Sequence, residues 1–214
     1  MQSTEAVHFE RKVWGICLIG APLLMALGTF FWQGGRLGVV GGTIQVYASA
    51  LWIPALLGLY GLLRDRMPRF AVLGGLLSIY ASLGGNNFGM DGIYGGAFRA
   101  AGASDAMLGA LPGAMGLALP LTLLVPGIFF PLNLLILGLA LGRAKVVPTW
   151  WAGLLCLGAV AFPASRIPRI ELLAHVADLL LLVPLVWLGW RQVTQSNAGT
   201  ASELAARGSV VPSP

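Results

Sequence analysis

The chain has 214 residues, of which 57% are hydrophobic and only 10% charged, and its formal net charge is +5. A soluble domain of this size carries about a quarter charged residues, so these proportions exclude an ordinary water-soluble fold and make lipid the solvent for most of the surface. The positive charge is no nucleic-acid signature. The basic residues lie in short gaps between apolar runs instead of clustering with aromatics on one polar face, and charges so placed set orientation in a membrane.

Taken in order, the sequence predicts an all-α polytopic membrane helix bundle with six transmembrane helices. Residues 1–12 form a cytoplasmic N-terminal lead. Arg11 and Lys12 then precede an apolar run over residues 13–32. That run is longer than the about 7–15 residues of a signal-peptide core and no A-x-A site follows it, so it reads as a retained first span. The second span covers 43–63 and ends at the basic loop Arg64-Asp65-Arg66-Met67-Pro68-Arg69. Proline there suits the first turn of a new helix, where its missing N–H is not needed. The third span, 70–85, is short for a hydrocarbon core about 30 Å thick.

Residues 86–112 read as the longest connection, rich in Gly and Ala, with a helix start at Ser104-Asp105 that marks a short interfacial helix or a solvated loop. Asn86, Asn87 and Asp91 read as an Asn- and Gly-rich turn, with a cation or headgroup contact as the alternative. The fourth span, 119–141, contains Pro120, Pro126 and Pro131 and is expected to kink. The fifth covers 149–164 and the sixth 170–190; residues 191–214 read as a disordered cytoplasmic tail. Every tryptophan but Trp52 falls near an expected span end, as in an interfacial aromatic belt. Gly34, Gly38 and Gly42 read mainly as a turn, whereas Gly138 and Gly142 have the spacing that lets helices approach closely.

Six spans put both termini on one side. That side holds Arg11, Lys12, Arg64, Arg66, Arg69, Arg143, Lys145, Arg191 and Arg207; the other holds Arg36, Arg99, Arg166 and Arg169. The bias places both termini in the cytoplasm.

The last span carries the chemistry. Glu171, His175 and Asp178 fall at i, i+4 and i+7 and share one helix face. Asp178 lies about 12 Å into its helix by the helical rise. A charge at that depth costs about 2.5–3.5 kcal/mol, so it must face the bundle, be paired or be protonated. It reads either as a relay or ligand contact, or as an interhelical hydrogen bond. His175 is expected as a neutral imidazole paired with Asp178 or Glu171. Glu171 is expected at the helix N-terminus beside Arg166 and Arg169. Asn133, beside Pro131, would extend this polar face from the fourth span.

Cys17 and Cys156 sit inside apolar runs, away from any Cys or His at metal-ligand spacing, and read as buried small hydrophobes. There is no P-loop, HExxH, CxxC, GxSxG or dinucleotide fingerprint, so no catalytic residue, metal or cofactor is expected.

The run from Phe130-Pro131-Leu132 to Leu141, the basic turn with Arg143 and Lys145, Pro148, Gly153-Leu154-Leu155, and a last helix with His175 and Asp178 ending in Trp187-Leu188-Gly189-Trp190-Arg191 resemble a group of uncharacterised bacterial six-span membrane proteins. The resemblance covers the C-terminal third to half. It implies a topology and a bacterial inner membrane, and no activity.

Three functions fit these residues. The first is a membrane scaffold or accessory subunit, with the polar face bonded inside the bundle or to a partner helix or second copy. The second is a small secondary carrier in which Asp178 titrates. The third is a membrane enzyme acting on a lipid-soluble substrate, which would show a lipid-sized cleft opening laterally beside the sixth span.

Overall fold

A backbone in lipid must satisfy its own hydrogen bonds, and helices do so within one segment. The computed structural model describes residues 4–32 and 36–208, with the side chains of Thr4 and of residues 196–208 excepted. Its elements are α1 (Thr4–Thr29), α2 (Gly38–Gly61), α3 (Pro68–Ala100), α4 (Asp105–Met115), a π-helical turn (Pro120–Leu124), α5 (Val125–Arg143), α6 (Thr149–Arg166) and α7 (Glu171–Gly208), with no strand among the described residues.

Local chemistry fixes several boundaries. Pro68 opens α3. Ser104 caps α4, its Oγ accepting from the Met107 N–H at 3.2 Å. Lys145 and Arg169 end α5 and α6 in the left-handed conformation, with φ of 53° and 58°. Behind them the Val146 N–H bonds the Leu141 carbonyl at 3.2 Å and the Ile170 N–H the Ser165 carbonyl at 2.9 Å. These are Schellman-type ends that usually take glycine.

Three expected boundaries move. The first helix begins at Thr4, inside the expected lead. The stretch 86–100, expected as a connection, continues α3 as helix. Its glycines are poor helix formers, but they let α3 lie directly on α2: a Cβ on Gly42 would sit 2.5 Å from the Gly89 carbonyl oxygen. The expected disordered tail is helical to Gly208; its Ala, Leu and Glu favour helix, and Gln192 and Val193 pack beside Gly15. Residues 209–214 lie outside the described residues.

Glu5–Thr29, Gly38–Gly61, Pro120–Arg143 and Glu171–Gln195 are long and apolar enough to cross a membrane. α3 and α6, the expected third and fifth spans, are not apolar enough by that measure. Gly, Ser and Asn dilute the first, and Pro163, Ser165 and Arg166 the second.

Six helices close a ring in the order α1, α2, α3, α5, α6, α7 and back to α1. Neighbours are antiparallel throughout. Gly28 meets Ile44 and Gly58 meets Trp14, Gly74 meets Tyr60, Gly84 meets Gly127, Gly138 meets Cys156, Gly158 meets Leu181, and Gly15 meets Gly189. α4 stands outside the ring, nearly all exposed. The half of the ring nearest the termini is filled by Leu18, Leu56, Leu59, Leu134, Leu137, Leu141, Leu155 and Leu185, all fully buried. The Gly138 and Gly142 spacing acts as expected, bringing α5 onto Cys156 and Ala152 of α6. The ring closes between its first and last helices, where a Cβ on Gly189 would lie 2.6 Å from the Gly15 carbonyl oxygen. Gly189→Val is expected to lower stability by about 1–3 kcal/mol through overpacking, read as an earlier thermal unfolding midpoint in detergent; an unchanged midpoint would show that this seam does not close the ring.

Candidate functional site

Asp178 is almost wholly buried, with 1% of its side chain exposed, and so must be neutralised by the chain itself. Arg166 does this from the end of α6. Its Nη2 lies 2.8 Å from Asp178 Oδ1. Thr29, at the end of α1, donates from Oγ1 to Asp178 Oδ2 at 2.6 Å. Arg166 Nη2 also donates to Thr29 Oγ1 at 3.1 Å, and Nη1 to the Ala174 carbonyl and Ser165 Oγ, both at 3.2 Å. The guanidinium lies between two rings, 5.2 Å from the centre of Trp32 and 4.6 Å from that of Phe162, where cation–π attraction replaces lost hydration. One arginine thus joins the ends of three helices.

A second polar knot lies deeper. Tyr60 of α2 donates its hydroxyl to Asn133 Oδ1 at 2.6 Å, and Asn133 Nδ2 donates to Ser78 Oγ of α3 at 2.9 Å. Ser78 passes its own proton to the Gly74 carbonyl at 2.8 Å. Asn133 and Ser78 are fully buried, and the chain of bonds leaves few orphaned polar groups between α2, α3 and α5.

Between the Tyr60–Asn133–Ser78 knot and the end of the ring remote from the termini, the helices enclose a chamber of about 860 Å³. Its floor is aromatic: Trp52 meets Phe130 edge-on at 5.2 Å, and Phe130 meets Phe162 at 5.4 Å. Its walls are mostly apolar, with Gln45, Ser49 and Ser82 on one side and Arg166 and Arg169 above. Trp52, set apart from the interfacial tryptophans by sequence, is buried here, and its indole N–H has no hydrogen-bond partner.

The chamber opens between α5 and α6. Ile128 and Leu132 of α5, Val160 of α6 and Ile167 just past its end line it while remaining 63%, 40%, 57% and 78% exposed. The two helices touch at Gly138 and Gly142, so they diverge toward this end. Pro131 and Pro163, both in the lining, remove backbone bonds there, and the π-turn at Pro120–Leu124 resets the start of α5.

The expected polar stripe is divided among different surroundings. Asp178 faces inward. His175 is half-buried and packs against Phe30 with ring centres 4.6 Å apart and planes tilted by 42°, with no hydrogen bond to Asp178 or Glu171. Glu171 is exposed in the first turn of α7. It does not hold Arg166, whose guanidinium is taken by Asp178. Asn133 belongs to the separate Tyr60–Ser78 knot. Among the described residues no three His, Cys, Asp or Glu side chains come together as a metal site.

Sequence reasoning placed Arg166 in a loop and missed it as the partner of Asp178. The available signal was the short turn from α6 to α7, which brings opposite charges on adjacent antiparallel helices face to face. Thr29, Tyr60 and Ser78 gave no signal, because a lone hydroxyl in an apolar run has no pattern.

Fold and site together define an all-helical membrane protein with a buried ion pair beside an open chamber. Comparison with protein-family models, curated proteins and solved structures finds no match for this chain.

Removing one charge strands the other. Asp178→Asn is expected to destabilise the protein by about 3–5 kcal/mol, and Arg166→Met similarly, whereas Arg166→Met with Asp178→Leu recovers most of the loss. Thermal unfolding of the four proteins tests this, and additive losses in the double variant would refute a coupled pair. Tyr60→Phe, which leaves a buried Asn133 acceptor unpaired, is expected to cost about 1–3 kcal/mol in the same assay.

Proposed function

We propose that this chain is a bacterial inner-membrane protein of six spans, with both termini in the cytoplasm, that holds a binding chamber for a lipid-soluble molecule. The apolar outer faces of α3 and α6 support counting them as spans: Leu73 and Leu76 are 67% and 61% exposed, and Leu157 and Val160 59% and 57%. These are the side chains a bilayer would cover. The basic bias toward the terminal side supports the orientation.

The observation that carries the functional reading is the chamber itself. At about 860 Å³ it has the size of a ligand site, its lining is apolar with a few polar groups, and its side opening faces where lipid would be. The chamber opens between the fourth and fifth expected spans, whereas the cleft of an enzyme acting on a lipid-soluble substrate is expected beside the sixth. Asp178 is bonded inside the chain, which supports a scaffold role for it over proton coupling. The carrier reading needs an Asp178 free to lose and regain contacts, and three hydrogen bonds among Arg166, Thr29 and Asp178 speak against that freedom.

A neutral long-chain alcohol with a diazirine at its tail end tests the chamber. In nanodiscs, photolabelling is expected on the peptides carrying Trp52 and Phe130. Val160→Trp, which fills the opening, is expected to abolish that labelling while leaving the unfolding midpoint in place. Labelling confined to outward residues such as Leu73 and Leu157, in wild type and variant alike, would overturn the chamber as a ligand site.

A further inference from the structure

Beside the chamber lies a small recess of about 30 Å³ lined by Arg36, Asp91, Arg99 and Arg169. The two spaces share Leu37, Phe88, Asp91 and Arg169 as walls, so they adjoin each other. One is large and apolar; the other is small and basic. We infer that the chamber takes an amphiphile with a compact anionic head, the chain lying over the Trp52–Phe130 floor and the head between Arg36 and Arg169. This rests on the chamber being a ligand site.

The charges support the head's sign. Arg99 is held by Asp105 at 3.1 Å. Arg36, Arg169 and Asp91 make no ion pair or hydrogen bond among the described residues. Three arginines against Asp91 and Asp105 leave one positive charge in excess, and the two free arginines are the ones an anion would meet. Arg166, higher in the chamber wall, is already neutralised by Asp178 and adds no net charge. Glu171 lines neither space.

Arg169 is also placed at a cost. Its φ of 58° is one that glycine adopts without strain. Glycine would end α6 more easily there, so the guanidinium is kept against the local backbone preference. Lys145 has the same geometry, with φ of 53°, at the far end of the ring and away from the chamber. The pair gives an internal control: Arg169→Gly removes the charge without harming the backbone, and Lys145→Gly does the same where no ligand is expected.

The head chemistry is shared by a free long-chain carboxylate and by the phosphate of a membrane lipid. Three tail-diazirine probes of equal chain length, an alcohol, a carboxylic acid and an alkyl phosphate, are titrated against the full chain in nanodiscs of neutral lipid, with labelling of the Trp52 and Phe130 peptides as readout. The expected result is half-saturation for one or both anions at about tenfold lower concentration than for the alcohol, lost in Arg36→Gln/Arg169→Gly and kept in Lys145→Gly. Preference for the acid alone assigns a fatty-acid-like ligand, and for the phosphate alone a phospholipid-like one; either upholds the inference. Equal labelling by all three probes in wild type overturns the anionic head and leaves the chamber standing. Loss of preference in Lys145→Gly as well overturns it too, since the effect then follows overall charge. Absence of floor labelling by every probe overturns the chamber and this inference with it.

Discussion

Charges taken out of water persist only when paired and hydrogen-bonded, and in this protein that requirement is met by one arginine. Arg166 reaches from the end of α6 to Asp178 on α7 and Thr29 on α1. Each contact is long-range in sequence, and together they fix where the first helix of the ring meets the last two. Trp32 and Phe162 present their rings to the guanidinium at 5.2 and 4.6 Å. The chamber wall beneath is built from the same residues: Phe162 continues to Phe130 and Trp52. The pair therefore sets the shape of the open end as well as its stability.

Packing of opposite character at the two ends explains the rest of the shape. Glycines bring backbones together at the seams of α1 with α7, of α2 with α3, and of α3 with α5. Leucines fill the half near the termini. Toward the other end, prolines at 131 and 163 and the π-turn at Pro120–Leu124 withdraw regular hydrogen bonds from α5 and α6. Those two helices part, and the opening lies between them. The ring is tight at one end and split at the other.

Much of this was legible in the chain. Hydropathy gave the helical class, because lipid leaves a backbone little other choice. Ser104 marked a helix start by its side-chain oxygen, and Pro68 by its missing donor. The Gly138 and Gly142 spacing announced a close approach. Asp178 was singled out because a carboxylate deep in an apolar run has to be accounted for. Less was legible where two propensities competed. Residues 86–100 look like a loop to any local reading, since glycine disfavours helix, and only contact with α2 reverses the preference.

The sequence by itself determined that this is a helical membrane protein and which residues are too polar to face lipid. These follow from the cost of exposing polar groups to hydrocarbon, a property of each residue alone. The tertiary structure decided that Asp178 belongs to Arg166 and Asn133 to Tyr60, that His175 packs against Phe30, and that Trp52, already set apart by sequence, floors a chamber. Those outcomes depend on which helices are neighbours in the ring, and neighbours are chosen by shape, through glycine seams and proline bends acting between segments far apart in the chain.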